Sequence, residues 1–184
     1  LRSAGQDTHL RSSLMIIGAG LAALGHREEA ARAMTTSVRS LRAAGAANAR
    51  RYLFFIWARF LVDDKRWAEA ELVTAELIEL HRSMGNHLLE AAARALHARV
   101  LVGAGQHGLA GQHLDAAWPL VQRSVDRLMD PLETLMECAV VASALGNDPD
   151  ASLAVQLAAG RLREVATTIS DPQVRRCFLE SGPA

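Results

Sequence analysis

Seven histidines and two cysteines are the residues of this 184-residue chain best suited to hold a metal or act as nucleophiles, so their spacing is the first question. His107 and His113 are six apart, as are His81 and His87, and six is not a spacing that puts two side chains on one face of a helix. Cys138 and Cys177 lie far apart and match neither a CxxC pair nor a disulfide framework. A packed interior accounts for these residues better than a metal site, and no metal or other cofactor is expected. The acid pairs Glu28-Glu29 and Glu69/Glu71 fall where helices begin, and negative charge there is favoured by the helix dipole. There is no GxSxG, no GK[ST] phosphate loop, no HExxH and no EF-hand loop. The expectation is a protein without a catalytic site, whose function lies in its surfaces.

Composition narrows the partners. Acidic and basic residues number 20 each, which removes the electrostatic footprint needed for direct nucleic-acid or membrane-surface binding. Lys65 is the sole lysine and every other basic side chain is arginine or histidine, a bias that says little about mechanism. Half of the residues are hydrophobic but only 4% are aromatic, so the interior has to be built from closely packed small aliphatic side chains. The apolar run from Leu14 to Leu24 is too short and too rich in Gly and Ala for a membrane span, and no cationic leader precedes a cleavage-like site. A reduced, cytoplasmic location is expected from the two cysteines. The first residue is Leu rather than Met, which suggests a piece cut from a longer protein.

The elements that must position any site announce themselves by repetition, which has to be tested before local structure. Four short segments resemble one another: Leu24-Gly25-His26-Arg27-Glu28-Glu29-Ala30, Asp64-Lys65-Arg66-Trp67-Ala68-Glu69-Ala70, Ala104-Gly105-Gln106-His107-Gly108-Leu109-Ala110 and Leu145-Gly146-Asn147-Asp148-Pro149-Asp150-Ala151. Their closing alanines are 40, 40 and 41 residues apart (30 to 70, 70 to 110, 110 to 151). Twelve residues before them stand Gly18, Ala58, Ala98 and Ala139. Leu21, Leu61, Leu101 and Ala142 form another column, and Met34, Thr74, Leu114 and Val155 a further one. On both sides of each turn the apolar spacing is helical, as in Leu14, Ile17, Leu21, Leu24 and then Ala30, Ala33, Met34, Val38, Leu41. Each unit reads as a helical hairpin, and its columns of Gly and Ala mark where two helices cross closely.

The predicted helices run over about 9–24, 28–44, 48–63, 67–84, 87–103, 108–128, 131–145 and 149–168, with a short last helix at 172–180. Asp130-Pro131-Leu132-Glu133 supplies an N-cap carboxylate, a first-position proline and an N3 acid, and Asp148-Pro149 and Asp171-Pro172 repeat the Asp-Pro device. Gly45 and Gly85 are natural C-terminal stops. Pro119 falls inside the sixth helix, where a kink or break is expected. The fold class is therefore all-α: an α-solenoid of four antiparallel hairpins, spanning about 9–45, 48–85, 87–128 and 131–168, with a C-terminal cap at 172–180 in a single domain over 1–184.

A small residue twelve before an alanine, within a helix-turn-helix unit, resembles the tetratricopeptide repeat, which has Gly or Ala at its eighth position and Ala at its twentieth. All four units match there. At the family's twenty-seventh position stand Ser37, Leu77, Ala117 and Ala158, of which two agree, and at its fourth position Leu14, Phe54, Arg94 and Leu135, where Arg94 departs. The resemblance covers about 10–168, with a period longer than the usual one of about 34 residues. That long form, with the tail Ile169-Ser170-Asp171-Pro172-Gln173-Val174-Arg175-Arg176-Cys177-Phe178-Leu179-Glu180, is similar to helical arrays in LuxR-type and related ATP-dependent bacterial transcriptional regulators.

The resemblance implies a right-handed superhelix in which the first helices of successive hairpins line a concave groove. It assigns to that groove Ser12, Met15, Ile16 and Ala19, then Tyr52, Phe55, Ile56 and Arg59, then Ala92, Ala95, Leu96 and Arg99, then Glu133, Met136, Glu137 and Val140. Arg59 and Arg99 share a column and could jointly hold a carboxylate or phosphate, with Glu133 and Glu137 opposing them. The groove then takes an apolar peptide or partner helix with one acidic anchor. The same charges also read as solvated side chains, or as Arg59 and Arg99 pairing internally with Glu133 and Glu137. The Lys and Asn set of the family's carboxylate clamp is absent, so chaperone-tail binding is not expected. Three functional readings remain: a protein-interaction or regulatory module of a bacterial signalling protein, binding a protein segment or neighbouring domains of its own full-length chain; a small-molecule effector domain of such a protein; and a structural spacer or homo-oligomerisation unit.

Overall fold

The computed structural model describes residues 4–45 and 47–180, with side chains described over 12–45 and 52–180. Among the described residues there are nine α-helices, one 3-10 turn and no strand. The helices are α1 (Ala4–Ala23), α2 (Arg27–Ala43), α3 (Ala47–Asp63), α4 (Trp67–Ser83), α5 (His87–Gly103), α6 (His107–Arg123), α7 (Pro131–Ala144), α8 (Asp148–Thr168) and α9 (Pro172–Glu180). None of them is long and apolar enough to cross a membrane. Each helix packs on the next, and α1, α3, α5 and α7 also touch in succession.

The turns inside the pairs α1/α2, α3/α4, α5/α6 and α7/α8 share one backbone design. The N–H groups of His26, Arg66, Gln106 and Asn147 donate to the carbonyls of Leu21, Leu61, Leu101 and Ala142 at 2.9, 2.9, 2.8 and 2.8 Å. That six-to-one bond closes the helix end and requires a left-handed residue just before the donor. Gly25, Gly105 and Gly146 take that conformation, and Lys65, with φ of 56°, takes it in the remaining turn. Gly45 and Gly85 end α2 and α4 with positive φ, as expected of C-terminal stops.

The small columns lie where the paired helices cross. A Cβ added at Gly18 would fall 2.5 Å from Met34 Cγ and 3.2 Å from the Ala30 carbonyl oxygen, so α1 and α2 meet at this point. Ala58, Ala98, Ala30, Ala70 and Ala110 are all fully buried. Two hydrophobic cores result, and α5 belongs to both. Its Ala92, Ala93, Leu96 and Val100 join Phe54, Leu61 and Leu77 in the first core. Its Ala91, Ala95, Ala98 and Leu101 join Leu114, Trp118 and Leu135 in the second.

Three expectations from the sequence are corrected. Pro119 neither breaks α6 nor lies mid-way in a longer helix: α6 ends at Arg123, and a 3-10 turn at Val125–Arg127 replaces the expected continuation to 128. The N-cap of α8 is Asn147, whose side chain accepts from the Asp150 N–H at 3.3 Å, so Asp148 is the first residue of the helix and not its cap. Asp130 precedes α7 but makes no side-chain cap bond, because its carboxylate is engaged elsewhere. Asp171 does cap α9, accepting from the N–H groups of Gln173 and Val174 at 2.7 and 3.1 Å.

Candidate functional site

The carboxylate of Asp130 is taken up by Arg59 of α3, whose Nη1 donates to Oδ2 at 2.7 Å. Glu133 and Glu137, one turn apart on α7, stand 3.8 and 4.0 Å from Arg59 Nε. The guanidinium also lies 5.9 Å from the Phe55 ring centre, one turn earlier on α3. Arg59 is therefore enclosed by three carboxylates and an aromatic face, and its buried Nε makes no hydrogen bond. Arg59 and Glu137 are largely buried while Asp130 and Glu133 reach solvent, so the Arg59–Glu137 pair is the one whose disruption leaves a charge in a poorly solvated place. Burial pushes the Glu137 carboxyl up to about 7, against the pull of Arg59 and Arg99. Asp63, at the end of α3, is also raised by burial, with Arg27 opposing the shift.

Beside this cluster is a depression of about 390 Å³ whose walls include Ala19 and Ala22 of α1, Tyr52 and Ile56 of α3, and the acids Asp63 and Glu133. Tyr52 is exposed and Ile56 half-buried. Arg27 and Arg59 balance part of the acid, so the walls carry one more carboxylate than guanidinium, counting Asp130 with Asp63 and Glu133.

The residues assigned to one groove separate into three groups. Met15, Phe55 and Leu96 are fully buried and belong to the first core, where no partner reaches them. Tyr52, Ile56, Arg59 and Glu133 do line the depression, with Glu137 next to it. Met136 is exposed in a different depression, formed by α7 and α8. The expected joint clamp of Arg59 and Arg99 is not arranged for an incoming anion. Arg59 is neutralised by the chain's own acids, and Arg99 lies over the Trp67 ring at 6.0 Å.

A second polar constellation crosses α4, α5 and α6 and was not anticipated. Thr74 Oγ1 donates to the Ala70 carbonyl at 2.8 Å and lies 2.7 Å from His97 Nδ1. With the single hydroxyl proton directed at Ala70, the imidazole N–H of His97 is the donor of the second bond. The His97 and His113 rings meet edge to face at 4.5 Å between centres. Burial pushes His97 down to about 4, helped by the nearby His113 and Arg94, and lowers His113 as well. Both rings are neutral at pH 7, which suits an interior position. Among the described residues no three His, Cys, Asp or Glu side chains gather closely enough to hold a metal.

The sequence did hold a signal for this pair. His97 and His113 are each eight residues from Gly105, the centre of the α5/α6 turn, and an antiparallel hairpin brings such positions opposite one another. Asp130 had no comparable signal, since its pairing with Arg59 joins elements that neither follow one another nor share a column. Cys138 is a buried thiol, pushed up to about 12 by burial and so inert as a nucleophile.

No family model matches the chain, nor does any curated protein or solved structure.

Proposed function

We propose that this chain is a protein-interaction module, a right-handed solenoid of four hairpins followed by α9, that holds a segment of another protein against the α1/α3/α7 face. One observation carries the reading: exposed Tyr52 and half-buried Ile56 stand at a depression walled otherwise by alanines, Met34 and Phe60, and by three carboxylates against the two guanidiniums of Arg27 and Arg59. An aromatic ring with a hydroxyl tip beside small apolar residues is the composition of a recognition surface. The partner that fits is an apolar segment carrying Arg or Lys. The acidic anchor suggested by Arg59 and Arg99 is replaced by a cationic one, because Arg59 already has its counter-ions.

The resemblance to long-period arrays of bacterial regulators supports reading such a module as part of a cytoplasmic signalling or transcriptional protein. The free thiols of Cys138 and Cys177 are in keeping with a reducing compartment. The test is a peptide array of helical segments that share an apolar face and differ in having basic or acidic flanks. Basic-flanked peptides should be retained, and Tyr52→Ala should weaken them by about tenfold, ~1.4 kcal/mol, without changing the helical circular dichroism. Retention of acidic-flanked peptides instead, or equal binding by Tyr52→Ala, overturns the proposal.

A further inference from the structure

Two columns of the repeat change character at the last helix pair. Met15, Phe55 and Ala95 are buried, but Met136, the next member, is 47% exposed. Met34, Thr74 and Leu114 are buried, but Val155 is 49% exposed. Thr74 meets His97 of the following helix pair at 2.7 Å, whereas on α7 and α8 the last members of these columns line an uncovered depression of about 980 Å³ with Val140. Helix α9 does not fill it. The 21 residues of α8, against 17 in each of α2, α4 and α6, carry α9 one turn beyond the place where a following helix would begin.

A third column changes character at the opposite end. Trp57, His97 and Cys138 are buried, but Ile17, the first member, is 54% exposed. Gly20 is likewise open, while its counterparts Phe60, Val100 and Val141 are buried. From Ser12 to Gly25 the chain has no charged residue, yet Ile16 and Ile17 of α1 and Leu24 of the turn after it face solvent. A helix that is apolar all round is normally covered on every side.

The two uncovered faces belong to columns that meet inside the molecule at the α4/α5 junction. Thr74 and His97, bonded at 2.7 Å between α4 and α5, are the counterparts of Val155 and Ile17. Both faces also lie at the same end: the exposed part of α1 leads into the turn before Arg27, and the depression flanks the turn between α7 and α8. We infer that this chain associates head to tail with a second copy of itself, the α1 face of one copy seated on the α7/α8 depression of the next, with Ile17 meeting Val155 where a threonine and a histidine meet inside the chain. The α1 face is aliphatic, and the depression is mostly apolar, with Ser143, Ser152, Gln156 and a single charged residue, Asp148, among its walls, so burial of apolar surface drives the contact. Because the two faces differ, the contact leaves one of each free and does not close at two copies.

Sedimentation velocity of the 184-residue chain, from micromolar to sub-millimolar, tests this. Mean mass should rise past that of a dimer with concentration. Ile17→Glu and Val155→Glu should each be monomeric at unchanged helicity, since both side chains are exposed in the single chain. An equimolar mixture of these two variants retains one sound face on each molecule and should form a species that stops at two copies. A wild-type chain that stays monomeric, a wild-type dimer indifferent to both substitutions, or a mixture that stays monomeric overturns the inference. Tyr52→Ala should leave the association unchanged, so the result is independent of the peptide-binding proposal.

Discussion

Glu137 shows how a single side chain couples the site to stability. Its carboxyl is pushed up to about 7 from an ordinary value of 4.5, so the folded state holds the proton more tightly than the unfolded chain does. The resulting stabilisation is fully present below about pH 4.5 and is lost as pH rises through 7. Glu137→Gln keeps the shape and removes the titration. At pH 8 this variant should be more stable than the wild type by at most about 3.4 kcal/mol, because each tenfold gain in proton affinity on folding is worth about 1.36 kcal/mol. At pH 4.5 the two should nearly coincide. Urea midpoints at the two pH values check this, and an equal offset at both would show that the Glu137 proton does not matter. Arg59 cannot be treated as simply. Its substitution would leave the buried Glu137 without its nearby cation, so a loss of binding in an Arg59 variant would report on folding before recognition.

At the scale of the elements, the turns were the most legible part of the sequence. Helix boundaries agree with the periodicity to within one residue nearly everywhere, because the boundary is set by a local backbone motif that each turn writes in its own residues. The start of α1 and the end of α6 are the exceptions, and at Arg123 no glycine marks the stop. The groove was less legible. The column register placed Met15, Phe55 and Leu96 on the groove, but they are buried, because how far each side chain is covered depends on how neighbouring pairs lean on one another. Spacing along the chain does not encode that lean. Lys65 is the one member of its turn column with a Cβ, held at φ 56° where the others are glycine. A left-handed non-glycine residue costs about 1–2 kcal/mol, and glycine loses about 0.5–1 kcal/mol of that advantage to unfolded-state entropy. Lys65→Gly should therefore raise stability by about 0.5–1 kcal/mol, read as a higher urea midpoint at unchanged slope. A lower midpoint would mean that the Lys65 side chain contributes more than its backbone costs.

For the whole molecule, the decisive element is α5, one side of which completes the first core while the other completes the second. Leu96→Ala removes a fully buried side chain from the first core and should cost about 2–5 kcal/mol. Since α5 is common to both, helicity in this variant should still disappear in one thermal step, at a lower temperature than in the wild type. Two separated steps would show that the cores melt independently. The position of α5 also bears on how the protein can be divided. A cut at Gly85 would strip Phe54, Leu61 and Leu77 of the helix that encloses them, and a cut at Gly105 would do the same to Leu114 and Trp118. Neither half is a smaller version of the whole, so the chain tolerates shortening from its ends before it tolerates bisection, although its repeats look interchangeable on paper.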